Sequence, residues 1–276
     1  MRTRLFLLLL TAALLQPFTV EARKEQYPRV SIFADHIRAI AMQENISFRQ
    51  AAGAVKEMGY EGVDVWVTCP SEDLNTLDEL GFMHASAIAY IDYGNDDFSK
   101  AEQQTLDFMH EHDFQRVLLV PGLIREDAPQ GTLERVLTRI DAFSRHAARE
   151  GLDVMVEDYD NPLSPCYDTQ ALNRMFKAAP RLKHTFDSGN YTYCNEDVMK
   201  AAKHFRKRIC HVHLKDRNAS HDGTSPAVGT GIVPVRQLVS YLLRKGYKGW
   251  FCMEFFGNDP MKEAAQTSIR NIQEPY

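Results

Sequence analysis

The sequence predicts an α/β fold, a closed (β/α)8 barrel of the TIM type. From Val30 onward, short apolar stretches rich in Val, Ile and Phe alternate with amphipathic stretches, the pattern of buried parallel strands joined by crossover helices. Eight such strands can be counted: Val30–Ala34, Gly62–Val67, Ala85–Ile91, Arg116–Val120, Asp153–Glu157, Lys183–Asp187, Ile209–Leu214 and Trp250–Glu254. Eight βα units favour a closed barrel over an open doubly wound sheet. An open sheet usually carries a glycine-rich phosphate turn after its first strand, whereas here that turn reads Ala34, Asp35, His36, Ile37.

The helices follow from spacing and punctuation. Ser47 caps a helix carrying Ala51, Ala52, Val55 and Met58, which Gly59 ends. Leu133, Val136, Leu137, Ile140 and Phe143 repeat at helical spacing, and Gly151 stops that segment. Gln237 to Lys245 forms another helix, ended by Gly246. The longest irregular stretch, Arg217 to Pro234, follows the seventh strand and is expected to lie on the catalytic face.

Residues 1–22 read as a signal peptide. Arg2 and Arg4 form a positive start, and Leu5 to Leu15 is an apolar run too short for a span of ~20 helical residues. Val20, Glu21 and Ala22 then offer a cleavage site after Ala22. Residues 23–276 make up the barrel domain, at a length near the roughly 250 residues usual for one. The mature protein is therefore expected to be exported, periplasmic or secreted, with no stable membrane span after cleavage.

A net charge of -5, with no long cluster of Lys and Arg, gives no footing for nucleic acid. The run Lys203, Arg206, Lys207 suits the end of a helix, where positive charge complements the dipole. Five cysteines leave at least one free thiol. Cys210 and Cys252 lie in strands as small apolar fillers, while a Cys166–Cys194 disulfide is permitted by export and not fixed by sequence.

Reactive groups of a barrel sit at the C-terminal ends of its strands. Strands five to eight deliver Glu157, Asp187, His213 and Glu254 to comparable heights. Any one of these acids could pair with a Lys or Arg on the rim. Three carboxylates converging on one axis would repel, and a divalent cation resolves the repulsion. Carboxylates with one imidazole suit Mn²⁺ first, then Mg²⁺ or Co²⁺, with Zn²⁺ also open. Lys215 faces the same way as His213 and either polarises a carbonyl or pairs with Asp160 or Asp216. His36, Trp66, Tyr90, Tyr159 and Phe256 lie near strand ends; Trp66 and Phe256 either stack on a sugar face or serve packing. His84 and His184 read as structural, and His211 as core or a support beneath His213.

Four features carry a resemblance: Glu157 ending strand five, the turn Asp187, Ser188, Gly189, Asn190, the run His213 to Asp216, and the closing segment Gly246 to Glu254. Gly229 and Gly231 add to them. In their order and spacing they resemble the xylose-isomerase-like superfamily of sugar phosphate isomerases and epimerases and endonuclease IV, over essentially all of the mature chain. The resemblance implies that Glu157 and Glu254 are metal ligands that also act as base and acid on either side of a keto-sugar. It implies that Asp187 and His213 complete the ligand set, and that the metal holds the enediolate oxygens. Many epimerases of the family carry a histidine three residues after the strand-six aspartate. Asn190 stands there, suited to a sugar hydroxyl and not to a metal or a proton. Relatives often form dimers or tetramers, so the resemblance allows a homo-oligomer, for which no stretch of the sequence marks an interface.

The reading is proton abstraction next to a sugar carbonyl in an isomerase or epimerase, with Asn190, Lys215, His36, Trp66 and Phe256 as substrate contacts. The alternative is a lyase or hydratase on an oxidised sugar such as a 3-keto-glycoside, and a less favoured one a non-catalytic sugar-binding barrel. Export favours free or glycosidic sugars over sugar phosphates.

Overall fold

The computed structural model describes residues 28–94, 97–257 and 260–273. The expected signal peptide and cleavage site fall outside them. Eight strands close into one parallel barrel in sequence order: β1 (Arg29–Phe33), β2 (Gly62–Trp66), β3 (Met83–Tyr90), β4 (Arg116–Val120), β5 (Asp153–Glu157), β6 (Lys183–Asp187), β7 (Ile209–Lys215) and β8 (Trp250–Glu254). Four of them, β4, β5, β6 and β8, have the bounds the sequence predicts. The first differs at its end, where Ala34 already opens a helix, and β3 begins earlier, at Met83.

Helices cover the outside: α1 (Ala34–Glu44), α2 (Phe48–Glu57), α3 (Ser71–Glu79), α4 (Phe98–Glu111), α5 (Thr132–Arg149), α6 (Thr169–Ala178), α7 (Ser188–Tyr193), α8 (Val198–Phe205), α9 (Val235–Arg244) and α10 (Met261–Gln273). Ser47 caps α2 in a full capping box with Gln50, and Gly59 follows at φ +104°, a left-handed stop that favours glycine. α5 buries Val136, Ile140 and Phe143 against the sheet. Among the described residues no helix is long and apolar enough to cross a membrane.

Side-chain alternation splits the core in two. Outward-facing strand residues such as Val63, Val117, Val212 and Met253 pack with the helices in the main cluster. Inward-facing residues fill the axis, where Phe33, Ile88, Leu118, Met155 and Cys252 form a small plug below the catalytic end. Cys252 is thus a filler, as expected, and all five cysteines, Cys166 and Cys194 included, are free thiols. Above the plug, strand register sets Asp187 beside His213 and Lys215 beside Glu254.

Candidate metal centre

Each residue of the cluster stands where its strand places it. Glu157, Asp187 and Glu254 end β5, β6 and β8, while His213 sits two residues before the end of β7. One ligand atom from each of the four lies within 4.8 Å of all the others, so a single ion with ligand distances of about 2.0–2.4 Å can gather them with small adjustments. His213 Nδ1 points at the acids: it touches Glu157 Oε1 and lies 3.3 Å from Glu254 Oε2. Both Glu157 Oε1 and His213 Nδ1 are buried without completing a hydrogen bond. Orphaned polar atoms are costly in an interior, and these converge on one point. The residues therefore fit a divalent ion, as hard carboxylate oxygens with one imidazole.

Asp187 does two jobs. Its Oδ1 accepts from the backbone N–H of Gly189 and Asn190 at 2.7 and 2.8 Å and so caps α7, the short helix that replaces the simple turn read from sequence. Its Oδ2 faces the cluster, 2.9 Å from Lys215 Nζ. Lys215 also reaches Glu254 Oε1 at 2.6 Å. The sequence expectation that Lys215 pairs with Asp160 or Asp216 is therefore corrected. Lys215 points inward along the pleat, to acids of neighbouring strands. Arg217 takes Asp160 at 2.9 Å, and Asp216 accepts four backbone N–H groups, from Arg217, Gly229, Gly231 and Val233. Those bonds organise the irregular segment after β7. A Cβ on Gly231 would stand 2.2 Å from the Arg217 carbonyl oxygen, which accounts for that glycine.

The electrostatics follow from burial and mutual charge. Burial alone would raise the Glu254 pKa, but Lys215 and His213 outweigh it and hold the carboxyl well below the usual range. Burial raises Asp187; Lys215 opposes that, and Glu254 and Glu157 reinforce it. Burial would lower His213, yet the charge of Glu157 and the close approach of the Asp64, Glu157 and Glu254 carboxylates raise it well above an ordinary histidine. For Lys215 burial again acts downward, and Asp187 and Glu254 win.

Sequence reasoning missed a layer of supporting residues. Asp64 of β2 lies beneath His213, with Oδ2 3.6 Å from Nε2, 2.7 Å from His211 Nε2, and Oδ1 accepting from Ser31 Oγ at 2.7 Å. It favours a proton on His213 Nε2 and leaves the Nδ1 lone pair for the ion, as partners of metal-bound histidines do. His211 is thus a support, one of the two roles its sequence position allows. Asp158 Oδ1 accepts from the Asp187 N–H at 3.0 Å. The signal for Asp64 was present: a lone acid between Val63 and Val65 on an apolar strand.

Above the cluster opens a cavity of about 490 Å³. All five expected substrate contacts line it: His36, Trp66, Phe256, Asn190 and Lys215. Three of them are already engaged, Lys215 with Asp187 and Glu254 as above, and Asn190 and His36 as follows. Asn190 Oδ1 accepts from Lys215 and Arg217, each at 3.2 Å, and its Nδ2 donates to the Asp158 carbonyl. His36 Nε2 accepts from the Phe255 N–H at 3.2 Å. Burial lowers its pKa to about 4, so the ring is neutral.

The profile of the xylose isomerase-like TIM barrel family matches residues 52–274. The chain belongs to this family. Among known structures, the probable 3-DHS dehydratase AsbF of Bacillus anthracis superposes with a TM-score of 0.75 at 16% identity, over 90% of this chain and 100% of the other. A D-allulose 3-epimerase from Methylomonas sp., solved with D-allulose, gives 0.69 at 14% identity, over 90% and 98%. Among curated sequences, inosose dehydratase 2 of Bacillus cereus is 28% identical over 85 residues, 25% of this chain and 28% of that protein. The chain thus matches little more than a quarter of that relative's length, and the structural likenesses show the fold. Barrels of this xylose isomerase-like kind include both epimerases and dehydratases, and this member carries a buried His/Asp/Glu cluster suited to a divalent metal.

Proposed function

We propose that this protein is an exported, metal-dependent sugar isomerase or epimerase that removes a proton next to a sugar carbonyl. The observation that carries this reading is the pair Glu157 and Glu254. They come from strands three places apart in the ring, both reach His213 Nδ1, and both open to the cavity. A divalent ion, when bound, polarises the carbonyl and offsets the negative charge that builds on its oxygen. Glu157 is the freer carboxylate, since the lysine is committed to Asp187 and Glu254, and it is assigned as the base. Glu254, fixed by Lys215, meets the opposite side of the substrate. The export reading rests on the pattern of residues 1–22.

A second reading, elimination, is favoured by the same asymmetry. The same base suffices for it: Glu157 takes the carbon-bound proton, and the Lys215 ammonium, which lines the cavity, offsets the charge on the departing oxygen, which then takes a proton from water.

The test is proton exchange in D₂O with Mn²⁺-loaded protein, free ketoses and 3-keto-glycosides, with the metal stripped before spectra are taken. Metal-dependent deuterium uptake with all substituents retained is expected. Glu157→Gln should cut the rate by at least about 10²-fold, the scale of a lost acid–base group. Release of water or an aglycone would select elimination. No uptake with any sugar, or full uptake in Glu157→Gln, would defeat the reading.

A further inference from the structure

The cavity has two chemically distinct halves, and the division follows the barrel. Strands β5 to β8 bring Glu157, His213, Lys215 and Glu254, with Arg217 just beyond. Strands β1 to β4 and their following loops bring Phe33, Trp66, Ile88, Tyr90, Leu118 and Leu123. Apart from the Tyr90 phenol, the two ionisable groups on the apolar side, Asp35 and His36, are both engaged. Asp35 pairs with Arg38 at 2.7 Å, and His36 is the neutral ring held against Phe255. Tyr90 is 56% exposed, Leu123 41%, and Phe256, on the facing rim, 50%. Large apolar side chains left open around one cavity mark a surface meant to be covered.

A free monosaccharide suits only one half. Its hydroxyls are matched by the ionic arc, but the Phe33, Ile88, Leu118 and Leu123 side chains of the other half offer them no partners, and Trp66 and Tyr90 add broad ring faces there. At about 490 Å³ the space is also larger than one sugar ring needs and of the size that takes a two-part ligand. We infer that the substrate is a glycoside with an aromatic aglycone, its sugar ring held over the Glu157–Glu254 arc and its aglycone against Trp66 and Tyr90. This rests on the proton-abstraction reading for the sugar half.

A chemical constraint follows. The anomeric carbon of a glycoside is locked, so the ring cannot open to expose an aldehyde. The carbonyl that acidifies the neighbouring proton must be a ketone within the ring. The reaction class that supplies the substrate is therefore the dehydrogenation of a ring hydroxyl of an intact glycoside, by an oxidoreductase with its own electron acceptor. Within this site no oxidant is needed. Glu157 removes the proton beside the ketone, and it either returns on the other face or remains lost as the substituent on the next carbon leaves with the bonding pair.

The experiment compares the 3-keto derivatives of phenyl β-glucoside, methyl β-glucoside and cellobiose, with free 3-keto-glucose, on the Mn²⁺-loaded full-length mature protein. Affinity is read by calorimetry and turnover separately by D₂O exchange. The phenyl compound is expected to bind about tenfold more tightly than the methyl one, the scale of a good aromatic contact. Trp66→Ala and Tyr90→Ala are each expected to erase most of that ratio. Equal affinity for phenyl and methyl, or a ratio untouched by both substitutions, would overturn the inference. An oxidised cellobiose matching the phenyl compound would overturn the aromatic assignment. Exchange without phenyl preference leaves the proposed function standing and removes this refinement. A Trp66-dependent phenyl preference without exchange supports the two-part site and defeats the proposed chemistry.

Discussion

Asp64 governs the cluster without lining the cavity. One carboxylate oxygen serves His211 and His213, and the other is fixed by Ser31. Burial would raise its pKa, but the two histidines hold it well below the carboxylate range, so it stays charged. Asp64→Asn keeps the shape and removes the charge that selects the His213 tautomer. The expected result is a loss of about 10–100-fold in Mn²⁺ affinity by calorimetric titration, with the barrel's circular dichroism intact. His184 gives a different kind of prediction. It is fully buried, with Nδ1 3.0 Å from the Val156 carbonyl oxygen and Nε2 3.0 Å from the Tyr191 hydroxyl. Burial lowers its pKa from 6.5 to about 4. Between those values the unfolded chain binds a proton that the folded chain refuses. The stability tied to the neutral ring is therefore complete above pH 6.5 and falls away as the pH drops towards 4. It amounts to roughly 3 kcal/mol across the window. Urea unfolding from pH 7 to 4 should show this slope in the native protein, and a slope smaller by about one proton in His184→Gln.

At the scale of elements, β7 and α7 are joined closely beside the site. A Cβ on Gly189 would stand 2.5 Å from Lys215 Cγ, so α7 lies close over the lysine stem only because that residue has no side chain. Gly189→Ala should displace Lys215 from Asp187 and Glu254, lowering the melting temperature and metal affinity together. Ser47→Ala, at the remote cap of α2, should cost about 1 kcal/mol of stability and leave metal affinity unchanged. The elements themselves were largely legible. Strands such as Arg116–Val120 and Trp250–Glu254 are apolar runs bounded by polar or glycine-bearing turns, so their limits are written locally. The start of β3 was hidden because Met83 and His84 do not look like strand residues. The four candidate ligands were legible because costly groups at strand ends stand out. The partners of Lys215 were not, because they depend on the β7–β8 register, which pairs Lys215 with Glu254 across the sheet. Asp216 and Arg217 were obscured for the opposite reason. They follow a strand and look like ordinary polar loop residues, although both are buried.

At the scale of the whole molecule, the candidate ligands join four consecutive strands through one small volume. An ion there binds only the closed barrel, so it should stabilise by mass action. In thermal scans the Mn²⁺-loaded protein is expected to melt several degrees above an EDTA-treated sample, with the increment growing with the logarithm of free metal. Lys215 moderates the difference, since it already neutralises part of the charge of Asp187 and Glu254 when no ion is present. Equal melting temperatures with and without metal would count against a bound ion.

The closed ring also orders its chemistry along the chain. Residues up to Leu123 supply the apolar side of the cavity apart from Phe256, and residues from Glu157 onward supply the four candidate ligands. Because α5 and its flanking turns lie between them, the two contributions can be inherited, or exchanged, as contiguous half-barrels. A graft of the N-terminal half from another member of the fold, with Ser31 and Asp64 kept beneath His213, would be expected to redirect the molecule to a new partner while keeping its reaction, with the crossover in the stretch between β4 and β5.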